Sequence, residues 1–202
     1  MRVESIPRGS AGAVEVLARA FRDNPLNVAV VGTGPERRLR SNRHGMRSLL
    51  ESAADRALIL GGRLESASRD LGPPAGVLVA AAPSTHPLPP ASPWTQLRCL
   101  AGQGLRTIRR WGQVYRALEA VHPLEPHWYL AVLGVDPSHQ RLGWGRALLQ
   151  SFLERVDADP SPGYLETDRE ENVAFYAAAG FERKQELSVL GVPVWCMWRP
   201  TR

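Results

Sequence analysis

Lysine is almost absent from this chain: of its 25 basic residues only Lys184 is a lysine, and the rest are arginine. That excludes a P-loop, whose G-x-x-x-x-G-K-S/T pattern needs a lysine on the phosphates. Cysteine is equally scarce. Cys99 and Cys196 lie far apart, fit no metal-ligand spacing, and read as free thiols of a reducing compartment. No stretch reaches the roughly 20 apolar residues of a membrane span. The opening MRVESIPRGS has no apolar core, so no secretory signal is expected and the reading is cytoplasmic. The net charge of +5 comes without any dense basic run, so nucleic acid is not an expected partner, and no internal repeat is visible.

What is there suits one domain. The chain has 202 residues, 44% of them hydrophobic, which is enough to bury a core. Arg2–Ile6 alternates weakly as a first strand. Ala11–Phe21 places Ala13, Val14, Leu17 and Phe21 at helical spacing and stops at the turn Asp23-Asn24-Pro25. Pro35–Ala54 reads as a helix opened by proline. Ala57–Leu60 and Gly76–Ala82 read as buried strands, paired through the polar stretch between them. Pro83–Pro93 is a loop, and Trp94–Ala120 is helical with an interruption near Gly102 and Gly104. The arginines of that segment (Arg98, Arg106, Arg109, Arg110, Arg116) form either a solvated face or a basic wall beside an anionic ligand.

Trp128–Val135 is the strongest strand, and Gly134 within it suggests a bulge or a close backbone approach. Gly145–Val156 follows as a helix, Gly163–Thr167 as a strand, and Glu171–Ala179 as a helix ended by Gly180. Phe181–Leu190 and Val194–Trp198 close the chain as a hairpin turning at Gly191-Val192-Pro193.

The chemistry concentrates where the strand Trp128–Val135 passes into the next helix. A helix start leaves backbone N–H groups unpaired and carries partial positive charge, and glycines let a phosphate come close. Gln140-Arg141-Leu142-Gly143-Trp144-Gly145 is therefore either a pyrophosphate cradle or an ordinary tight turn. A dinucleotide fingerprint is excluded, because G-x-G-x-x-G is missing. Glu166 stands in an otherwise apolar strand, Tyr164-Leu165-Glu166-Thr167, and a buried carboxylate demands a partner.

Q-x-x-G-x-G after strand-V-D-P, followed by Asn172-Val173-Ala174-Phe175-Tyr176 and Gly180-Phe181, resembles the acetyl-CoA motifs of the GCN5-related N-acetyltransferases (GNAT). "EPHWYLAVLGVDPSHQ", "YLETDREENVAFY" and "WCMWRP" are similar to the puromycin N-acetyltransferase branch, over roughly Val121 to Pro200. The resemblance implies a single α/β domain over residues 1–202. Its sheet is mixed and mainly antiparallel, helices cover both faces, and a parallel strand pair splays apart at the cofactor. The acetyl-CoA motifs fall within 128–181 and the substrate-side elements within 28–120.

It also implies roles. Leu133 and Val135 would hydrogen-bond the pantetheine arm of acetyl-CoA. Gln140, Arg141, Leu142, Gly143, Trp144, Gly145 and Arg146 would wrap its pyrophosphate, with Trp144 packing outward or covering the cofactor. Asn172 would cap its helix or touch the cofactor, and Tyr176 would protonate the departing thiolate. A backbone N–H near Val135 would polarise the thioester carbonyl. Glu166 is favoured as base or amine-binding group, His127 less so, and His122 and Glu125 are read as loop residues.

The expected activity is direct acetyl transfer to a primary amine of a small molecule, an antibiotic or a metabolite, with no covalent enzyme intermediate. Two alternatives stand beside it: a protein or aminoacyl-tRNA amine as acceptor, and a non-catalytic acyl-CoA sensor. The sequence leaves the oligomeric state open.

Overall fold

The elements run in the order β1 (Arg2–Ser5), α1 (Ala11–Ala20), α2 (Pro25–Val31), α3 (Pro35–Ala53), β2 (Ala57–Arg63), β3 (Gly76–Ala81), α4 (Pro93–Gln103), α5 (Leu105–Glu119), β4 (Trp128–Val135), a short 3-10 turn (Pro137–His139), α6 (Trp144–Asp157), β5 (Gly163–Thr167), α7 (Glu170–Ala177), β6 (Glu182–Val189) and β7 (Val192–Arg199). This computed structural model describes residues 1–7, 9–53, 57–63 and 73–201. The expected connection between β2 and β3, and Ala54 at the end of the expected helix Pro35–Ala54, lie outside the described residues.

The strands form one seven-stranded sheet in the order β1-β2-β3-β4-β5-β7-β6. All neighbours are antiparallel except β4 and β5. This is the single mixed, mainly antiparallel α/β domain expected from the sequence. Strand β3 is buried at every position, and an apolar run without alternation needs cover on both faces. One face receives α6: Leu148, Leu149, Phe152 and Leu153 pack on Leu60, Leu78, Leu130, Leu165 and Met197. The other receives α1 and α3, where Val14, Leu17 and Leu50 meet Ile59, Val77 and Val79. Further along that second face, α2 and α5 cover Val189 and Val194 through Val30, Val31 and Val114.

Two local expectations are corrected, and a third is decided between its alternatives. Asp23-Asn24-Pro25 does not simply end a helix. Pro25 is the first residue of α2, where its missing N–H is no loss. Arg38, 7% exposed, ties this corner by donating to the carbonyls of Arg22 and Gly32 and to Asp23. The bulge in β4 falls at Ala131, not Gly134. Val79 pairs with Val132 and Ala80 with Leu130, so Ala131 has no opposite number. Gly134 is instead a close approach: a Cβ there would sit 2.9 Å from Leu17 and 3.0 Å from Ala20 of α1. The closing hairpin turns at Leu190-Gly191, both with positive φ (54° and 78°), as a two-residue turn of primed type needs. Pro193 already belongs to β7, opposite Ser188 and beyond the end of β5.

Trp144 opens α6 with its indole buried (1% exposed) over Gly62 of β2. A Cβ on Gly62 would lie 2.7 Å from that ring. Gly62→Ala should therefore destabilise the fold by about 2 kcal/mol, a fall in thermal midpoint of about 6 °C. The double variant Gly62→Ala/Trp144→Leu should recover part of the loss in the same melting experiment.

Candidate active site

Strands β4 and β5 share only two paired positions, Trp128–Gly163 and Tyr129–Tyr164, and then part. The bulge at Ala131 bends β4 away just beyond the last pair. A cleft of about 640 Å³ occupies the opening. Its walls come from both faces of the sheet: Ala20, Phe21 and Asn24 from the α1–α2 side, and Gly145, Arg146, Phe175 and Tyr176 from α6 and α7. The Asp136 N–H bonds Ala75 O on the β3 side. Alternation along a strand then turns the backbone groups of Leu133 and Val135 to the opposite edge, into the gap.

The loop from β4 to α6 is held in a defined form. Asp136 accepts from the N–H (2.9 Å) and hydroxyl of Ser138 and pairs with Arg19 of α1 at 3.3 Å. The Gln140 amide donates to the Val135 carbonyl at 3.2 Å and closes the turn. Arg141 and Gly143 both have positive φ, 61° and 89°. The bond from Ala147 N–H to Gly143 C=O starts the helix. The N–H groups of Trp144, Gly145 and Arg146 precede it and have no acceptor within the helix. Backbone N–H groups converging at a left-handed turn and a helix start make an anion cradle. Arg141, Arg146 and Arg169 line the same cleft, and among the described residues no carboxylate does. These residues fit an anionic pyrophosphate, and the open space over Gly143, where a Cβ would meet only Met1 Cε at 3.9 Å, leaves room for it.

Of the residues singled out in the sequence, Leu133, Val135, Gln140, Arg141, Gly143, Gly145, Arg146, Asn172 and Tyr176 line the cleft. Leu142 points to solvent, and Trp144 neither packs outward nor covers the cleft. Asn172 is not a helix cap: α7 begins at Glu170, Arg169 occupies the cap position, and the Asn172 amide donates to Thr167 Oγ1 at 3.4 Å. The arginines of α4 and α5 do not wall this cleft. Arg106, Arg109 and Arg116 are exposed, and Arg110 donates to the Ala29 carbonyl. Arg169, which does line it, has no motif of its own and is brought there by the β5–α7 turn.

Tyr176 is buried on α7 between Phe175 and Phe181, with ring centroids at 5.1 and 6.0 Å. Burial pushes its phenol above the ordinary tyrosine range, so it stays protonated and can donate.

Glu166 lies on the other face of the sheet, two residues past the last β4–β5 pair and opposite Cys196 of β7. Its side chain is 7% exposed, and Oε1 has no hydrogen-bond partner. His122 Nδ1 stands 3.6 Å from it. His122 Nε2 is 3.1 Å from His127 Nε2, whose Nδ1 meets the Glu125 carbonyl at 2.7 Å. His86 stacks on His122 at 4.0 Å, and its Nε2 is 3.2 Å from Glu119. The rings of Tyr129 and Tyr164 stand edge-on to His122 at 4.9 and 5.0 Å. Burial, and then the Glu166 charge, raise both phenols. His122 was legible only as a loop residue, and His86 sits in a proline-rich loop remote in sequence. Neither carries a spacing that announces the cluster. Among the described residues no group of three or more His, Cys, Asp or Glu is arranged to hold a metal ion, and no helix is long and apolar enough to cross a membrane.

Residues 107–183 match the family model described as an acetyltransferase (GNAT) domain. Similar solved structures span nearly the whole chain. A structure from Corynebacterium glutamicum, described as histone acetyltransferase HPA2 and related acetyltransferase, superposes with a TM-score of 0.73 at 20% identity, covering 99% of this chain and 96% of that one. The ribosomal-protein-S18-alanine N-acetyltransferase of Escherichia coli gives 0.54 at 14% identity, over 98% and 92%. The NatC complex bound to Gag peptide and CoA gives 0.53 at 13%, over all of both chains. The matched segment, the sheet that splays at β4 and β5 and the anion cradle beside the splay agree: the chain has the fold of the GNAT acetyltransferases, its residues 107–183 match their domain, and these features fit an N-acetyltransferase that uses acetyl-CoA.

Proposed function

We propose that the acceptor is a primary amine of a small molecule, an antibiotic-like compound or a metabolite, and that Glu166 is the base that prepares it. The observation behind this reading is a carboxylate oxygen without a hydrogen bond, buried among aromatic and imidazole rings at the point where β4 and β5 part. A buried charge without a bond is costly, and its retention is explained by a proton to be received. The similarity of the segments around 121–200 to the puromycin N-acetyltransferase branch supports a small acceptor.

Acetyl-CoA supplies the acetyl group as a thioester. The cradle of residues 140–146, with Arg169 and Asn172 beside it, would hold the pyrophosphate. Leu133 and Val135 offer backbone groups to the pantetheine arm, and an N–H near Val135 is positioned to polarise a carbonyl. Glu166 takes the amine proton, directly or through water, from the face opposite α6 and α7. Tyr176 carries the proton that a departing sulfur needs. Neither cysteine lines the cleft, which accords with direct attack in a ternary complex.

A second reading, a protein α-amine as acceptor, is favoured by the substrates named for the Escherichia coli and NatC structures. Thiol release from acetyl-CoA against aminonucleosides, aminoglycosides, amino acids, polyamines and short peptides separates the two. Turnover on a small amine with none on peptides supports the proposal, and the reverse result replaces it. On the active amine, Tyr176→Phe should lower kcat about 100-fold while leaving the KM for acetyl-CoA nearly unchanged.

A further inference from the structure

We infer that the base is a Glu166–His122 pair holding one exchangeable proton between Oε1 and Nδ1, and that His127 is the positioning residue that turns the Nδ1 lone pair toward Glu166. This rests on the reading of Glu166 as base given above.

The hydrogen-bond inventory assigns the protons in sequence. The Glu125 carbonyl can only accept, so His127 Nδ1, 2.7 Å away, carries hydrogen. Burial lowers the basicity of His127, so its ring is neutral and Nε2 is a lone pair. His122 Nε2, at 3.1 Å, must then be the donor. A neutral His122 bearing hydrogen on Nε2 has a bare Nδ1, and that nitrogen faces Glu166 Oε1 at 3.6 Å. Two acceptors confronting each other, with side chains 8% and 7% exposed, repel. One proton between them turns the repulsion into an ion pair.

The surroundings add no competing anion in contact. Facing the pair are the phenols of Tyr129 on β4 and Tyr164 on β5, both held protonated by burial and the Glu166 charge, and the Cys196 thiol on β7, raised by burial. His86 covers the His122 ring, and Glu119 of α5 lies beyond it at the exposed rim. The pair is active when it has lost its proton. It then takes one proton from the amine nitrogen as the C–N bond forms, Tyr176 gives one to the sulfur as the C–S bond breaks, and solvent resets both.

Two measurements test this on the full chain. Nitrogen-15 NMR of imidazole-labelled protein at alkaline pH should find His122 with hydrogen on Nε2 and a bare Nδ1. Hydrogen on Nδ1 in the wild type overturns the inference without touching Glu166 as base. In the kinetics, His127→Phe removes the acceptor for His122 Nε2–H and lets the ring donate to Glu166 instead. The kcat should fall about 10-fold, with the KM for acetyl-CoA unchanged. His127→Gln, whose amide oxygen can accept from Nε2, should restore kcat. A His127→Phe kcat equal to wild type also overturns the inference. A Glu166→Gln enzyme with full kcat defeats the base reading itself, and with it the pair.

Discussion

Gly143→Val should raise the dissociation constant for acetyl-CoA at least about 100-fold, a loss of about 2.7 kcal/mol of binding, in a protein that still folds. Gly143 has φ 89° and ψ −4°, the left-handed region, where an L-residue pays about 1–2 kcal/mol and a β-branched one more. The protein itself leaves room for a side chain, since only Met1 Cε comes within 3.9 Å of the added Cβ. The harm therefore falls on the ligand. Either the loop relaxes and the N–H groups of Trp144, Gly145 and Arg146 lose their common direction, or the isopropyl group stands where a phosphate would approach them. Titration calorimetry measures the constant, and far-UV circular dichroism checks the fold. Gly143→Ala should fall between the two proteins. Undiminished affinity in the valine variant would show that the pyrophosphate does not sit on this helix start.

Glu166→Gln should lower kcat by about 100- to 1,000-fold on whichever amine is turned over. The KM for acetyl-CoA should change little, because Glu166 does not line the cofactor cleft. The replacement has the same shape and removes a buried charge of which one oxygen, Oε1, lacks a hydrogen bond. Its melting temperature should therefore stay the same or rise. That combination, a large kinetic loss without a loss of stability, separates a proton acceptor from a structural residue. Steady-state kinetics beside differential scanning calorimetry reads both, and a kcat within a factor of two of wild type would move the search for the base elsewhere.

The cofactor side of the site was legible in the chain because it is local. An anion cradle needs a strand end, a turn with left-handed positions and a helix start, and all three lie within residues 128–147. Gln140, Arg141, Gly143 and Gly145 could be named from that order, and Leu133, Val135, Arg146, Asn172 and Tyr176 from the family resemblance. Trp144 escaped the reading because its direction depends on Gly62, which reaches it only through the sheet. The bulge at Ala131 escaped for a related reason: it is a property of how β4 registers on β3.

The acceptor side was not legible. Glu166 stood out as a carboxylate in an apolar strand, yet nothing near it in sequence identified its partners. His86, His122 and His127 meet because a proline-rich loop and the connection before β4 both pass over the face that β5 and β7 present. By itself, then, the sequence determined the strand-and-helix order and the place where a glycine turn meets a helix start, because hydrophobic period, glycine placement and helix-end polarity act over a few residues. Only the tertiary structure decided which way Trp144 turns and what surrounds Glu166, because burial and proton sharing depend on groups that the chain brings together from positions far apart in the sequence, Gly62 with Trp144 and His86 with Glu166 and Cys196.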